Sequence, residues 1–187
     1  EPENGINPAA GISEILAEVA KLNLNDPQNS DFAALTPVYI NMGQKAYGIS
    51  PANGELHYTI RTWSSVKMTT LKSEIEQIIE RICNSSKLKF TIEWFEYFPA
   101  TSNNQECNKI IKKAAMSNKM KIIERPYPFK FGEDFGWFSK NHKTSMFGLG
   151  AGLETPALHN VHYDFPDELI ETGINMFKTI ITTIIQR

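Results

Sequence analysis

The chain has 187 residues, of which 41% are hydrophobic, so it is long enough to bury one substantial core or two small ones. Its 19 basic and 21 acidic residues are scattered along the chain. Because no basic run could neutralise a phosphate backbone, we expect no nucleic acid partner. The richest apolar stretch, residues 174–185, is interrupted by Asn175, Lys178 and several threonines. A bilayer span needs about 20 apolar residues, so we expect a soluble protein with no membrane partner.

The N-terminal part of the chain predicts a mixture of helices and strands. Apolar residues recur at helical spacing in two segments, and β-branched and aromatic residues are concentrated in three others. In chain order, these elements are a helix, two strands, a helix and a strand, at residues 7–22, 36–42, 55–62, 66–83 and 88–97. The alternation in the second strand places Arg61 on the face opposite the core residues. This order predicts a ferredoxin-like βαββαβ unit that lacks its first strand, whose place is just before Glu1.

A polar break after Phe98 marks the expected boundary between a domain of residues 1–100 and a domain of residues 101–187. The second domain alternates helix and strand, which is typical of part of an α/β layer. Its predicted elements are a helix, a short strand, a buried strand that ends in glycines and a last long helix, at residues 106–118, 121–124, 145–150 and 167–185. Glu133 and Asp134 are expected in the first turn of another helix, where the helix dipole favours acids.

The two cysteines, Cys83 and Cys107, each fall on the apolar side of a predicted helix, where a thiol behaves as a small hydrophobic group. We therefore expect them to stay free in a reducing, cytoplasmic compartment. Residues 1–8 have neither a starting Met nor a signal pattern, so the chain is expected to start in mid-protein.

Four short motifs follow one another in an order that resembles one enzyme family. They are Gly48–Pro51 with Arg61 about ten residues later, Gly132–Phe135, Phe147–Gly150 and Leu158–Phe165. Together they resemble the co-catalytic zinc hydrolases that include aminoacylases, glutamate carboxypeptidases and N-acyl-amino-acid amidohydrolases. In that family, a ferredoxin-like lid, which also dimerises, interrupts a catalytic α/β domain. The resemblance, which covers nearly the whole chain, implies that the chain is the lid lacking its first strand, followed by the C-terminal part of the catalytic domain.

The resemblance assigns His159 as a late metal ligand, and the chemistry agrees, because neutral imidazole is a good zinc donor. The alternative is a loop histidine that packs beneath Tyr163. His162 lies three residues further on and is the weaker ligand candidate.

Arg61 resembles the family arginine that reaches the substrate carboxylate, often across the dimer. A guanidinium can bind a carboxylate through two parallel hydrogen bonds, which a lysine cannot imitate. An ordinary solvated strand residue is an equally good reading. One departure from the family is Gly48, which stands where the family usually has an Asn that could support an oxyanion.

Gly148 and Gly150 are candidates for substrate binding, since glycine leaves backbone N–H groups accessible. A tight exit from the strand is the competing explanation. Glu133 and Asp134 invite a general acid or base role, but the family's catalytic glutamate and its paired acid lie in the N-terminal half. We therefore expect the two acids to cap a helix or to stabilise the residues that bind the metal or the substrate.

The implied function is that of a fragment. The intact enzyme would hold two zinc ions and hydrolyse the amide bond of a small N-acyl amino acid or peptide, and it would form a homodimer through the lid. One good ligand should not retain metal, because zinc sites take three or four protein ligands. The chain is thus expected to be inactive without the missing N-terminal half. The alternative, of another class, is a non-catalytic dimeric ferredoxin-like module that binds a partner or a ligand.

Overall fold

The computed structural model describes residue 1 and residues 4–186. The chain divides into two compact units. The first unit comprises residues 1–100 and 126–134, and the second comprises residues 101–125 and 135–187. A short segment of the first unit, residues 126–134, is therefore enclosed in sequence by the second.

The first unit contains two helices and a hairpin. The elements are α1 (Pro8–Ala20), β1 (Ala33–Met42), β2 (Gly54–Thr62) and α2 (Ser65–Ser85). Both helices begin at polar caps: the Asn7 side chain accepts a hydrogen bond from the Ala9 N–H, and the Ser64 hydroxyl accepts one from the Lys67 N–H. These four elements confirm the helices and the first two strands that the sequence predicts, with end shifts of a few residues.

The hairpin is antiparallel, with Ala33 opposite Thr62 and Met42 opposite Gly54. The register shifts between Pro37 and Tyr39. A proline has no N–H to donate to a strand ladder, so a bulge is a favourable place for it. The inner face of the hairpin packs on both helices. The shared core consists of Ile15, Val19, Ala33, Leu35, Leu71, Ile75, Ile82 and Cys83.

Residues 88–97 do not form the predicted third strand. Among the described residues, no backbone–backbone hydrogen bond involves residues 89–96. A strand exists only when a neighbour takes up its N–H and C=O groups, and the described sheet contains only β1 and β2. The segment packs along α2 instead: the Trp94 Nε1 donates to the Glu76 carboxylate at 2.8 Å, and the Lys72 ammonium lies 4.4 Å from the Trp94 ring centroid.

The second unit is built on two helices packed against each other. Its elements are α3 (Gln105–Ser117), a short α4 (Gly136–Ser139) and α5 (Glu168–Ile185). Ala114 and Ala115 of α3 and Met176 of α5 form its buried centre. The predicted long helices are confirmed, but the strands expected at 121–124 and 145–150 are not formed in this part of the structure.

No helix within residue 1 and residues 4–186 is long and apolar enough to cross a membrane. Both cysteines are free thiols, with Cys83 buried and Cys107 partly buried.

Candidate functional site

Arg61 lies near the end of β2 and its side chain is exposed, while Tyr58 and Ile60 pack against the core of the first unit. The alternation of β2 therefore places the arginine on the outer face, as predicted. Its Nη1 donates a hydrogen bond of 2.7 Å to the backbone carbonyl of Lys130. The guanidinium is thus held by a residue that lies 69 positions later in the chain.

Lys130 is itself anchored to the first unit. Its Nζ donates to the Asn25 side-chain carbonyl at 2.8 Å and lies 5.2 Å from the centroid of the Phe32 ring. Phe32 is fully buried and stacks on Trp63 with ring centroids 3.9 Å apart. No sequence pattern pointed to Lys130, because an isolated lysine in a loop has no pattern that predicts a distant partner.

Glu133 and Asp134 are exposed and precede α4, which begins at Gly136. The prediction that they occupy the first turn of a helix was wrong. The short helix is capped by Phe135, which makes no side-chain capping hydrogen bond. Both acids nevertheless follow Lys130 within the same segment, residues 126–134.

His159 lies in an exposed turn, and its φ of +70° is in the left-handed region. Non-glycine residues enter this region at a cost of about 1–2 kcal/mol. Hydrogen bonds to the turn maintain the conformation: the Asn160 N–H donates to the Ala157 carbonyl at 3.0 Å, and the Tyr163 N–H donates to the Asn160 carbonyl at 2.9 Å. Lys87, Glu96 and Lys119 also have a positive φ, so the left-handed backbone does not by itself mark His159 as a functional residue. The ligand role of His159 itself stays a prediction.

Gly148 and Gly150 are both exposed. An added Cβ at Gly150 would meet no heavy atom of the described residues within 4 Å, and its φ is not positive. Neither packing inside the second unit nor a left-handed backbone therefore requires glycine at Gly150. An added Cβ at Gly48, in the connection between β1 and β2, would likewise meet no heavy atom of the described residues within 4 Å.

Within residue 1 and residues 4–186, no three His, Cys, Asp or Glu side chains are grouped so that they could hold a metal ion. Arg61, Glu133 and Asp134 belong to the first unit, and Gly148, Gly150 and His159 to the second. The donors within the described residues therefore do not form a complete zinc site, which needs three or four protein ligands.

An apolar groove that the sequence did not reveal lies along the outer face of α5, with a volume of about 560 Å³. Ile174 and Phe177 are 48% and 58% exposed, although they lie on the helix whose other face buries Met176. The groove is lined mainly by Leu149, Phe165, Ile170, Ile174, Phe177 and Ile181. Exposed apolar surfaces of this kind mark interfaces in folded proteins.

The sequence pattern of Peptidase family M20/M25/M40 matches residues 3–183. The chain belongs to this family. The M20 match includes β2 with Arg61, the turn with His159 and nearly all of α5, so the candidate residues all lie inside the family domain.

Relatives of this M20 chain include an uncharacterized hydrolase of Staphylococcus epidermidis that is 22% identical over 191 residues, which are 97% of this chain and 48% of that protein. An uncharacterized hydrolase of Staphylococcus aureus strain N315 is 25% identical over 142 residues, 73% of this chain and 37% of that protein. The M20 chain thus spans about half the length of the first of these relatives.

Two solved structures have the same fold. One is the YXEP protein of Bacillus subtilis, described as a dinuclear metal-binding peptidase from the M20 family, with a TM-score of 0.71, 15% identity and coverage of 97% of this chain and 47% of that one. The other is a proposed aminohydrolase of methicillin-resistant Staphylococcus aureus, with a TM-score of 0.73, 16% identity and coverage of 96% and 47%. The expected family resemblance is therefore confirmed, as is the mixed α/β class of the chain.

Proposed function

We propose that this chain forms the lid and the C-terminal catalytic segment of a metal-dependent hydrolase that cleaves the amide bond of small N-acyl or peptidyl amino acids. The observation that carries the proposal is the M20 match over residues 3–183, in a chain that covers 48% of a hydrolase relative. In this proposal, residues 1–100 are the ferredoxin-like lid, residues 101–187 belong to the catalytic domain, and the chain alone is inactive.

Arg61 is proposed to anchor the carboxylate of the substrate. Its exposure and its position on the outer face of β2 support this role. The hydrogen bond to the Lys130 carbonyl uses only part of the guanidinium, which has five N–H donors in a planar fork. The remaining donors are available to bind a carboxylate with charge-assisted hydrogen bonds.

His159 is proposed to be one ligand of a two-zinc site that polypeptide outside this chain completes. Its exposed position in a turn supports the role. When bound, zinc would supply an activated water and polarise the scissile carbonyl. The open surroundings of Gly150 are compatible with a substrate that approaches the backbone there, beside Gly148. Glu133 and Asp134 would stabilise the residues that bind the metal or the substrate, and they would not act on the reacting atoms themselves.

The proposed partners are the N-terminal half of the catalytic domain and a second lid. We propose that the N-terminal half packs on the apolar groove along α5, because the exposure of an apolar surface of this size to water is unfavourable. For the lid, residues 89–96 pair with neither strand of the described sheet, as expected if a first strand is to be added. The exposed side chains of Val38, Tyr39 and Ile40 on β1 provide apolar surface for a homodimer.

The ligand assignment is tested by His159→Ala in the full-length protein, with His162→Ala as the matched control three residues away. The first variant should lose bound zinc and lower the turnover number by about 100-fold or more, since removing a ligand disturbs both the metal and its activated water. The control should keep both. Zinc is measured by elemental analysis and activity with an N-acetyl amino acid. Full zinc content and full activity in His159→Ala would rule out the assignment and favour the non-catalytic module.

A further inference from the structure

We infer that Lys130 is a positioning residue for Arg61, and that it sets the affinity for a substrate carboxylate without touching the substrate. The inference rests on the proposed role of Arg61 as the carboxylate anchor. It concerns a lysine that no motif of the sequence singles out, and it follows from the contacts that the lysine makes at both its backbone and its side chain.

The first step is that a hydrogen bond restrains the guanidinium of Arg61. An exposed arginine has many side-chain conformations, and ordering it for a ligand costs conformational entropy. The Lys130 carbonyl accepts from Arg61 Nη1 at 2.7 Å and so selects one orientation before any ligand arrives. Preorganisation of this kind raises affinity because the entropy cost of ordering the Arg61 side chain is met before the ligand binds.

The second step is the fixing of that carbonyl. Residues 126–134 contain no helix or strand, so the backbone of Lys130 depends on other contacts for its position. The Lys130 side chain provides them, through the Asn25 side chain at 2.8 Å and the face of the Phe32 ring at 5.2 Å. An ammonium over an aromatic face is an attractive contact in its own right.

The third step is that this anchor shares a framework with Arg61. Phe32 is fully buried and stacks on Trp63, only two residues after Arg61. The Trp63 indole also donates to the Pro27 carbonyl at 3.3 Å, close in sequence to Asn25. The lysine therefore connects the segment of residues 126–134 to the same rigid part of the first unit that carries the arginine. Displacing the lysine side chain would free the carbonyl and, with it, the guanidinium.

The competing role for Lys130 is direct attraction of the carboxylate by its ammonium charge. Asn25→Ala separates the two roles, because it removes the anchor of the lysine and leaves the charge in place. Lys130→Arg keeps the charge, a donor for Asn25 and a planar cation over Phe32. Lys140→Ala is the matched control, since Lys140 also lies over an aromatic ring, 4.0 Å from the centroid of Trp137, but in the second unit.

The experiment measures KM and kcat of the full-length protein with an N-acetyl amino acid. We expect Lys130→Ala and Asn25→Ala each to raise KM about three- to tenfold with kcat within about twofold of the parent, since only binding shared by ground and transition states is lost. The double variant should be no worse than Lys130→Ala alone, because the two residues act through one contact. Lys130→Arg and Lys140→Ala should have the parent KM.

Two outcomes overturn the inference and are distinguishable from failure of the proposed function. If Arg61→Ala raises KM but Asn25→Ala does not, Arg61 is the anchor and Lys130 does not position it. If both lysine and asparagine variants lower kcat by as much as kcat/KM, the segment acts on the reaction rather than on carboxylate binding. If Arg61→Ala itself leaves KM unchanged, the proposed role of Arg61 is wrong, and the inference is lost with it.

Discussion

Asn103 and Met146 exchange two hydrogen bonds although they are 43 residues apart: the Asn103 Nδ2 donates to the Met146 carbonyl at 2.8 Å, and the Met146 N–H donates to Asn103 Oδ1 at 2.9 Å. The side-chain amide of Asn103 thus donates to and accepts from the backbone of Met146, as a peptide group of a neighbouring strand would. The adjacent Asn104 N–H donates to the Thr144 carbonyl at 2.8 Å. These contacts fix residues 144–146 in the second unit without the strand that the sequence predicted there.

Replacing Asn103 with alanine should destabilise the second unit by about 1–2 kcal/mol, because two backbone groups of Met146 lose their partner and water replaces it only in part. The free energy of unfolding in urea measures the effect. Asn141→Ala is the matched control, since the Asn141 side chain makes no hydrogen bond that joins it to the rest of the described chain. Equal stability of both variants would show that the amide pair contributes nothing.

The left-handed backbone of His159 predicts an unusual response to glycine. His159→Gly should leave the stability unchanged or raise it by about 0.5–1 kcal/mol, because glycine enters positive φ without strain. Leu158→Gly, one residue earlier and without a positive φ, should lower stability by a similar amount. Thermal unfolding of the two variants provides the comparison. A clear loss of stability in His159→Gly would mean that the imidazole makes contacts that hold the turn.

The segment after α2 that forms no strand predicts a pattern of amide exchange. In this chain, the amides of residues 89–96 should exchange fast, because no backbone acceptor of the described residues holds them. The Leu88 N–H, which donates to the Cys83 carbonyl at 2.8 Å, should exchange more slowly. Hydrogen exchange followed by NMR resolves these residues one by one.

The same measurement tests the proposed lid. In a protein of the full length of the relatives, the amides of residues 89–96 should gain protection of about tenfold or more if a first strand pairs with them. Unchanged fast exchange there would contradict a ferredoxin-like sheet.

Features that depend on residues close in sequence were predictable, whereas features that depend on residues distant in sequence were not. The long helices were predictable because their apolar spacing and capping residues, such as Asn7 and Ser64, are local in sequence. The outer position of Arg61 was predictable because alternation along a strand is also local. Residues 88–97 have strand-forming side chains but pair with neither strand of the described sheet, and no local pattern reports whether a neighbouring strand is present. Lys130 was missed because its partners are up to 105 residues away.

Burial raises the pKa of the Cys83 thiol above its ordinary value, and this predicts a pH-dependent loss of stability. Above the ordinary thiol pKa, the unfolded chain releases the proton while the folded chain keeps it, so the folded state binds more protons and its stability falls as the pH rises. The free energy of unfolding, measured between about pH 7 and pH 10, should therefore decline more steeply for the parent than for Cys83→Ala. Cys107→Ala, in the second unit, is the control and should keep the slope of the parent. A slope that is identical in all three proteins would show that the buried thiol does not resist ionisation, and rapid alkylation of Cys83 in the folded chain would lead to the same conclusion.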